Sequence, residues 1–134
     1  MSTKAELSKA IEGKRAKIGI IGLGYVGLPL ALRFAEVGFH VLGIDVDAEK
    51  VAGIKNGISY IPDVSFEPSI RGSFRASTDA SLLSETDAAI ICVPTPLSKT
   101  RDPDLSLVLE AGRTIAVHLH QGQLVVLEST TYPG

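Results

Sequence analysis

The sequence predicts a doubly wound parallel α/β fold, in which helices cover both faces of one sheet. Short apolar runs alternate along the chain with segments of helical periodicity. Glycine, proline and acidic residues punctuate these segments, as expected where strands end and helices begin. A glycine-rich turn joins the first apolar run to the first apolar helix. Because strands that alternate with helices pair in parallel through right-handed crossovers, these observations predict this architecture.

The elements are predicted in a regular order. A charged segment, residues 1–16, forms a polar N-terminal helix, and residues 17–134 form the α/β domain. Strands are expected at residues 17–21, 39–44, 74–77, 87–93 and 123–127. Helices are expected from near Tyr25 to Val37, over residues 47–54, up to Leu83 behind a cap in residues 77–79, and after Asp104. In the last helix, apolar residues recur at helical spacing: Leu105, Val108, Leu109, Ile115 and Ala116. Residues 58–72 are expected to form an irregular connection.

The composition is that of one ordinary globular domain, with 134 residues, 45% hydrophobic and 21% charged. The net charge is −2 and no basic tract occurs, so neither nucleic acid nor an anionic membrane is expected as a partner. No apolar run reaches membrane-spanning length, and the charged first residues do not form a signal peptide. The single cysteine allows no intrachain disulfide framework, which favours a reducing cytoplasm.

The glycine-rich turn, residues 22–27 (GLGYVG), directly follows the first predicted strand. Gly22 allows a tight turn, Gly24 lets the backbone approach a pyrophosphate closely, and Gly27 lets the next helix pack against the sheet. The pyrophosphate would meet the N–H groups and the positive dipole end of the helix that begins near Tyr25. The turn in its strand and helix context therefore predicts a dinucleotide site.

An acidic residue, Asp45, ends the second predicted strand 18 residues beyond Gly27. A carboxylate at this spacing can accept hydrogen bonds from the hydroxyls of the adenosine ribose. It would also repel a 2′-phosphate, so NAD is the expected cofactor rather than NADP.

Ligands of such sheets bind outside the carboxyl ends of the strands. This rule brings three segments to one crevice: the glycine turn, residues 93–96 (VPTP) and residues 128–131 (ESTT). Prolines on both sides of Thr95 hold its hydroxyl on a stiff extended loop. Glu128 also lies at a strand end within reach of the crevice. A plain strand end followed by turn residues explains these segments equally well by position alone.

No metal site is expected. His118 and His120 have no cysteine or acidic residue close in sequence and are interpreted as a polar helix end. Asp102 and Asp104 fit a helix cap better than a calcium site.

Three segments, in order, resemble motifs of the UDP-glucose/GDP-mannose dehydrogenase family: residues 22–31 (GLGYVGLPLA), 92–97 (CVPTPL) and 128–134 (ESTTYPG). The resemblance extends from about Lys17 to the last residue, and three ordered motifs are more specific than one glycine turn. Pro29, Thr95, Pro96 and residues 129–132 most resemble the branch that oxidises UDP-N-acetylglucosamine and UDP-N-acetylmannosamine. The resemblance thus implies a Rossmann-type NAD-binding domain.

The family reaction is implied by the same resemblance. Its members oxidise C6 of a nucleotide sugar from alcohol to acid in two NAD-dependent steps, through an aldehyde and a cysteine thioester. Thr130 is implied to be catalytic, because it is similar to the family threonine that holds a water with a downstream glutamate. Lys50 is implied to reach the ribose, although a solvated surface lysine explains it equally well. The implied cofactor contacts are Gly22, Gly24, Tyr25, Val26, Gly27, Asp45, Lys50, Val93, Pro94, Thr95 and Thr130.

The family's nucleophilic cysteine, its lysine and asparagine and its sugar-nucleotide domain correspond to sequence beyond residue 134. The chain is therefore interpreted as the cofactor domain of a longer enzyme that binds a nucleotide sugar and forms homo-oligomers, and as inactive by itself. Cys92 is not expected to replace the nucleophile, because it lies in an apolar strand where cysteines are usually inert.

Two other functions share the glycine turn and the acidic residue. One is a stand-alone NAD-sensing module, such as those that regulate some ion transporters, which has no need of residues 93–96 or 129–131. The other is a different NAD-dependent oxidoreductase, of the hydroxyacid or 6-phosphogluconate type, which a downstream cysteine motif would distinguish from the first interpretation.

Overall fold

The computed structural model describes residues 4–57, 73–94, 99 and 104–128. Within them, five strands form one parallel sheet: β1 (Lys17–Ile21), β2 (His40–Ile44), β3 (Phe74–Ser77), β4 (Ala88–Ile91) and β5 (Leu124–Leu127). Their spatial order is β3-β2-β1-β4-β5. The chain thus starts in the middle of the sheet, builds outward to one edge and then crosses to the other side. The predicted doubly wound parallel fold is confirmed.

Helices lie on both faces of this sheet: α1 (Lys4–Glu12), α2 (Gly27–Glu36), α3 (Ala48–Lys55), a 3₁₀ helix (Ala80–Glu85) and α4 (Ser106–His118). Alternate residues of β1 serve the two faces, since Ile18 and Ile20 join one core cluster and Ile21 joins the other. Helices α1 to α3 pack in the first cluster. The 3₁₀ helix and α4 pack in the second. Each fully buried Leu or Ile contributes about 1.5–3 kcal/mol.

The predicted helix ends follow from cap chemistry. Gly38 has a φ of 108° after α2, and Gly57 has a φ of 72° after α3, so both adopt the left-handed conformation that ends a helix. The side chain of Asp47 caps α3, and that of Asp79 caps the 3₁₀ helix. Residues 58–72, expected to be irregular, lie outside the described residues.

The last helix differs in part from the expectation. Of the five apolar positions that recur at helical spacing, Ile115 alone is buried, and it contacts the sheet together with Ala111. Leu109 is exposed, because the apolar pattern of α4 is wide enough to cover more than one helix face. Strand β5 lies at the sheet edge and is mostly exposed. None of the described helices is both long and apolar enough to cross a membrane.

Candidate functional site

The glycine turn leaves the carboxyl end of β1 through Gly22, whose φ is 94°. Its N–H donates to the carbonyl of Ile44 at 2.8 Å, which ties the turn to the end of β2. A Cβ at Gly22 would lie 2.9 Å from the carbonyl oxygen of Cys92, at the end of β4. Both the backbone conformation and the space around it therefore require glycine here.

Gly27 is the first residue of α2, and it packs directly against the turn. A Cβ at this position would overlap the carbonyl oxygen of Gly22 and lie 3.2 Å from the Cβ of Cys92. The helix therefore begins close to the ends of β1 and β4, as predicted for the third glycine of the turn.

Gly24 differs from the other two glycines in its packing. A Cβ there would meet no atom of the described residues within 4 Å, and its φ lies outside the left-handed region. Within the described part of the chain, neither packing nor backbone conformation requires glycine at this position, and the position suits close approach of a ligand to the backbone.

The N-terminus of α2 lies beside Gly24. Val26 occupies the N-cap and makes no side-chain capping hydrogen bond. Tyr25 is 78% exposed, and Val26 is also exposed. An uncapped helix N-terminus presents N–H groups and a partial positive charge, which suits a phosphate group.

Asp45 stands at the end of β2, next to the turn. Its Oδ2 accepts the N–H of Leu23 at 2.8 Å, and its Oδ1 accepts the N–H of Asp47 at 2.9 Å. The carboxylate is thus held by two separate stretches of backbone. Each oxygen keeps a further lone pair, so the group can still accept hydrogen bonds from sugar hydroxyls.

Lys50 lies in the first turn of α3, where its backbone N–H donates to Oδ1 of Asp47 at 3.4 Å. Its side chain is half-buried. The same short segment therefore carries both Asp45 and Lys50, in agreement with their spacing in the sequence.

The other predicted segments follow strands that neighbour β1. Strand β4 pairs with β1 and β5 pairs with β4, so Ile91 lies beside both Ile21 and Leu127. Val93, Pro94 and Glu128 follow these strands at the same edge of the sheet as the glycine turn. Two predicted contact residues, Thr95 and Thr130, lie outside the described residues.

Cys92 lies just after β4, against Gly22 and Gly27 of the glycine turn, and is buried. Burial, and secondarily the negative charge of Glu128, raises the pKa of its thiol to about 11. The thiol is therefore protonated at neutral pH, which agrees with the expectation that Cys92 is not a nucleophile.

Two features of the site were missed from the sequence. Val46, between Asp45 and Asp47, is 93% exposed, although it is apolar. Neither its residue type nor its spacing signals this exposure. The second feature is the hydrogen bond that the backbone N–H of Asp47 donates to the carboxylate of Asp45. It was missed because a backbone N–H donor leaves no signal in residue type.

His118 and His120 lie away from the glycine turn. The ring Nε2 of His120 lies 2.6 Å from the carbonyl oxygen of Thr86, so the ring has a structural partner. Among the described residues, no three His, Cys, Asp or Glu side chains are grouped to hold a metal ion. A separate cavity of about 270 Å³, lined in part by Lys17, His40 and Arg75, lies at the amino ends of the strands, opposite the glycine turn.

The chain is similar to known proteins in both sequence and structure. Residues 16–134 match the model of the UDP-glucose/GDP-mannose dehydrogenase family, NAD binding domain. The chain is 38% identical over 119 residues to UDP-N-acetyl-D-glucosamine 6-dehydrogenase of Salmonella typhi, covering 88% of this chain and 28% of that protein. It is 42% identical over 124 residues to UDP-N-acetyl-D-mannosamine dehydrogenase of Escherichia coli K12, covering 89% of this chain and 29% of that protein.

The solved structures agree with the sequence relatives. UDP-D-ManNAc dehydrogenase from Pyrococcus horikoshii superimposes with a TM-score of 0.77 at 38% identity, over 88% of this chain and 29% of that one. A ternary complex of GDP-mannose dehydrogenase from Pseudomonas aeruginosa gives a TM-score of 0.77 at 32% identity, over 87% and 29%. The chain thus spans less than a third of the length of these relatives. It belongs to the UDP-glucose/GDP-mannose dehydrogenase family and corresponds to the NAD-binding domain of that family.

Proposed function

We propose that this chain is the cofactor-binding part of a nucleotide-sugar 6-dehydrogenase that oxidises C6 of a UDP-N-acetylhexosamine to the acid in two NAD-dependent steps. The observation that carries the proposal is the position of Gly24, where a Cβ would meet none of the described residues within 4 Å, together with the start of α2 and the Asp45 carboxylate on either side. Relatives named as UDP-N-acetyl-D-glucosamine and UDP-N-acetyl-D-mannosamine dehydrogenases, at 38% and 42% identity, support the substrate class.

In this proposal the chain's own residues bind and orient the cofactor. The N–H groups at the start of α2 receive the pyrophosphate, and the Asp45 carboxylate accepts the ribose hydroxyls and disfavours a 2′-phosphate. NAD, when bound, supplies the hydride acceptor for both steps. Thr130 is proposed to hold a water at the reacting centre. The proposed cofactor contacts are Gly22, Gly24, Tyr25, Val26, Gly27, Asp45, Lys50, Val93, Pro94, Thr95 and Thr130.

The proposal places the rest of the reaction outside residues 1–134, since the relatives extend over more than three times the matched length. A nucleophilic cysteine and the sugar-nucleotide site are then supplied by the remainder of the enzyme, and the chain alone does not turn over substrate. We further propose that residues 1–16 and 17–134 divide into an N-terminal helical segment and the NAD-binding domain. We also propose that the whole enzyme is cytoplasmic, forms homo-oligomers and has no nucleic-acid partner.

The direct test is NADH formation by the whole enzyme that carries this domain. UDP-N-acetylglucosamine, UDP-N-acetylmannosamine, UDP-glucose and GDP-mannose are compared as substrates. Two NADH per sugar with one of the UDP-N-acetylhexosamines is the expected result. NADH with another sugar alone would refute the substrate class. No NADH with any sugar, from a protein that binds NAD, would refute the enzyme and favour the sensing module or another oxidoreductase.

A further inference from the structure

We propose that Asp47 is a positioning residue for the cofactor site: its side chain holds the backbone whose N–H aims the Asp45 carboxylate. The inference rests on the proposed role of Asp45 at the ribose. Asp47 itself is exposed and is not among the proposed cofactor contacts. Its effect on the cofactor would therefore pass through Asp45.

The carboxylate of Asp45 is held by two backbone N–H groups. One oxygen accepts the N–H of Leu23 from the glycine turn, at 2.8 Å, and the other accepts the N–H of Asp47, at 2.9 Å. Two donors on opposite oxygens fix the rotation of the carboxylate, since a turn of the group would break both bonds. The lone pairs that remain then point in defined directions.

The backbone of Asp47 is held in turn by the cap that its own side chain forms on α3. Oδ1 of Asp47 accepts the N–H groups of Glu49 at 3.0 Å and of Lys50 at 3.4 Å. Its backbone is extended, with φ −83° and ψ 103°, and its carbonyl accepts the N–H of Val51 at 3.2 Å. This is an N-cap, which fixes the chain where α3 begins.

Asp47 takes part in both sets of hydrogen bonds. The side chain of Asp47 bonds forward to α3, while its N–H bonds backward to Asp45. Loss of the cap frees the first turn of α3 and with it the direction of the Asp47 N–H. The Asp45 carboxylate then keeps one of its two fixed donors and samples orientations that do not face the ribose.

The test uses Asp47→Ala in the 134-residue chain, with Asp47→Ser and Asp47→Asn as cap-retaining variants that lack the charge. Asp79→Ala is the matched control, because Asp79 is also an N-cap, with Oδ1 accepting the N–H of Ser81 at 3.0 Å, and its side chain bonds Ser81 rather than the segment that holds Asp45. Calorimetric titration gives the NAD affinity. We expect Asp47→Ala to weaken NAD binding about tenfold. The Ser and Asn variants should bind within about twofold of the parent, and Asp79→Ala should match the parent.

The amide resonance of Leu23 supplies a readout that a purely structural role of Asp47 would not move. The N–H of Leu23 donates to Asp45, so its amide chemical shift should change in Asp47→Ala and return to the parent value in Asp47→Ser. Because Leu23 is distant in sequence from α3, a local change at the helix start would not by itself move this resonance. An unchanged Leu23 resonance in Asp47→Ala, or equal NAD affinity for Asp47→Ala and the parent, would overturn the inference. Equal weakening by Asp47→Ser would assign the effect to charge and would also overturn it. If Asp45→Ala leaves NAD binding unchanged, the role of Asp45 itself is wrong.

Discussion

Gly24→Val separates cofactor binding from folding. A Cβ at Gly24 meets no atom of the described residues within 4 Å, and the backbone there does not need the left-handed conformation. Replacing glycine at such a position stabilises a chain by about 0.4–1 kcal/mol for alanine, through the unfolded state, and valine offsets part of this gain by its stiff χ1. We therefore expect the free energy of unfolding to stay within about 1 kcal/mol of the parent.

Cofactor binding should respond very differently. The valine side chain would occupy the space through which a pyrophosphate approaches the backbone. We expect the NAD affinity to fall at least about a hundredfold, which corresponds to about 2.8 kcal/mol. Isothermal titration measures the affinity, and urea denaturation followed by circular dichroism measures the stability.

Gly27→Ala provides the contrast. Its Cβ would overlap the carbonyl oxygen of Gly22, so α2 must move away from the turn. Overpacking of this kind costs about 1–3 kcal/mol, and this variant should lose both stability and NAD binding. The proposed role of Gly24 would be wrong if the NAD affinity of Gly24→Val were within about threefold of the parent value. It would also be wrong if Gly24→Val lost as much free energy of unfolding as Gly27→Ala.

Three further predictions concern separate parts of the chain. Asp45→Ala should weaken the affinity for NAD about tenfold and reduce the preference for NAD over NADP, because the ribose hydroxyls lose an anionic hydrogen-bond acceptor. An unchanged ratio of the NAD and NADP affinities would show that Asp45 does not contact the ribose. Thr86→Val should lower the free energy of unfolding by about 1–2 kcal/mol, since the buried hydroxyl donates to the carbonyl of Leu83 at 2.8 Å and accepts from Gln123 at 2.9 Å; parent-like urea denaturation would contradict this. Cys92, with its pKa raised to about 11, should react with iodoacetamide at pH 8 at least about a hundredfold more slowly than in the denatured chain, and equal rates would show an accessible thiolate.

Much of the fold could be predicted because local and long-range signals agree. The predicted third strand, residues 74–77, matches β3, and the helix expected over residues 47–54 differs from α3 by one residue at each end. The bounds of α3 could be predicted because Asp47 caps its start and the left-handed Gly57 follows its end. In α4 the prediction was less informative, because several of its faces are apolar and only packing decides which one is buried.

The candidate site was predictable where residue type carries the chemistry. Gly22, Gly27 and Asp45 stand where the motif placed them, with the conformation, packing and carboxylate geometry described above. The exposed Val46 and the N–H of Asp47 were not predictable in the same way. An exposed valine has no distinctive spacing, and a backbone donor depends on the three-dimensional path of the chain between β2 and α3.

Titration of the ¹⁵N-labelled chain with NAD, followed by amide resonances, tests whether NAD binds at the glycine turn and Asp45. Binding there predicts saturable shifts concentrated in residues 22–27 and 45–50, with a weaker response to NADP at the same concentrations. No shift at millimolar NAD, from a chain whose circular dichroism shows an intact fold, would contradict it. Saturable shifts confined to the opposite end of the sheet, around Lys17, His40 and Arg75, would contradict it as well.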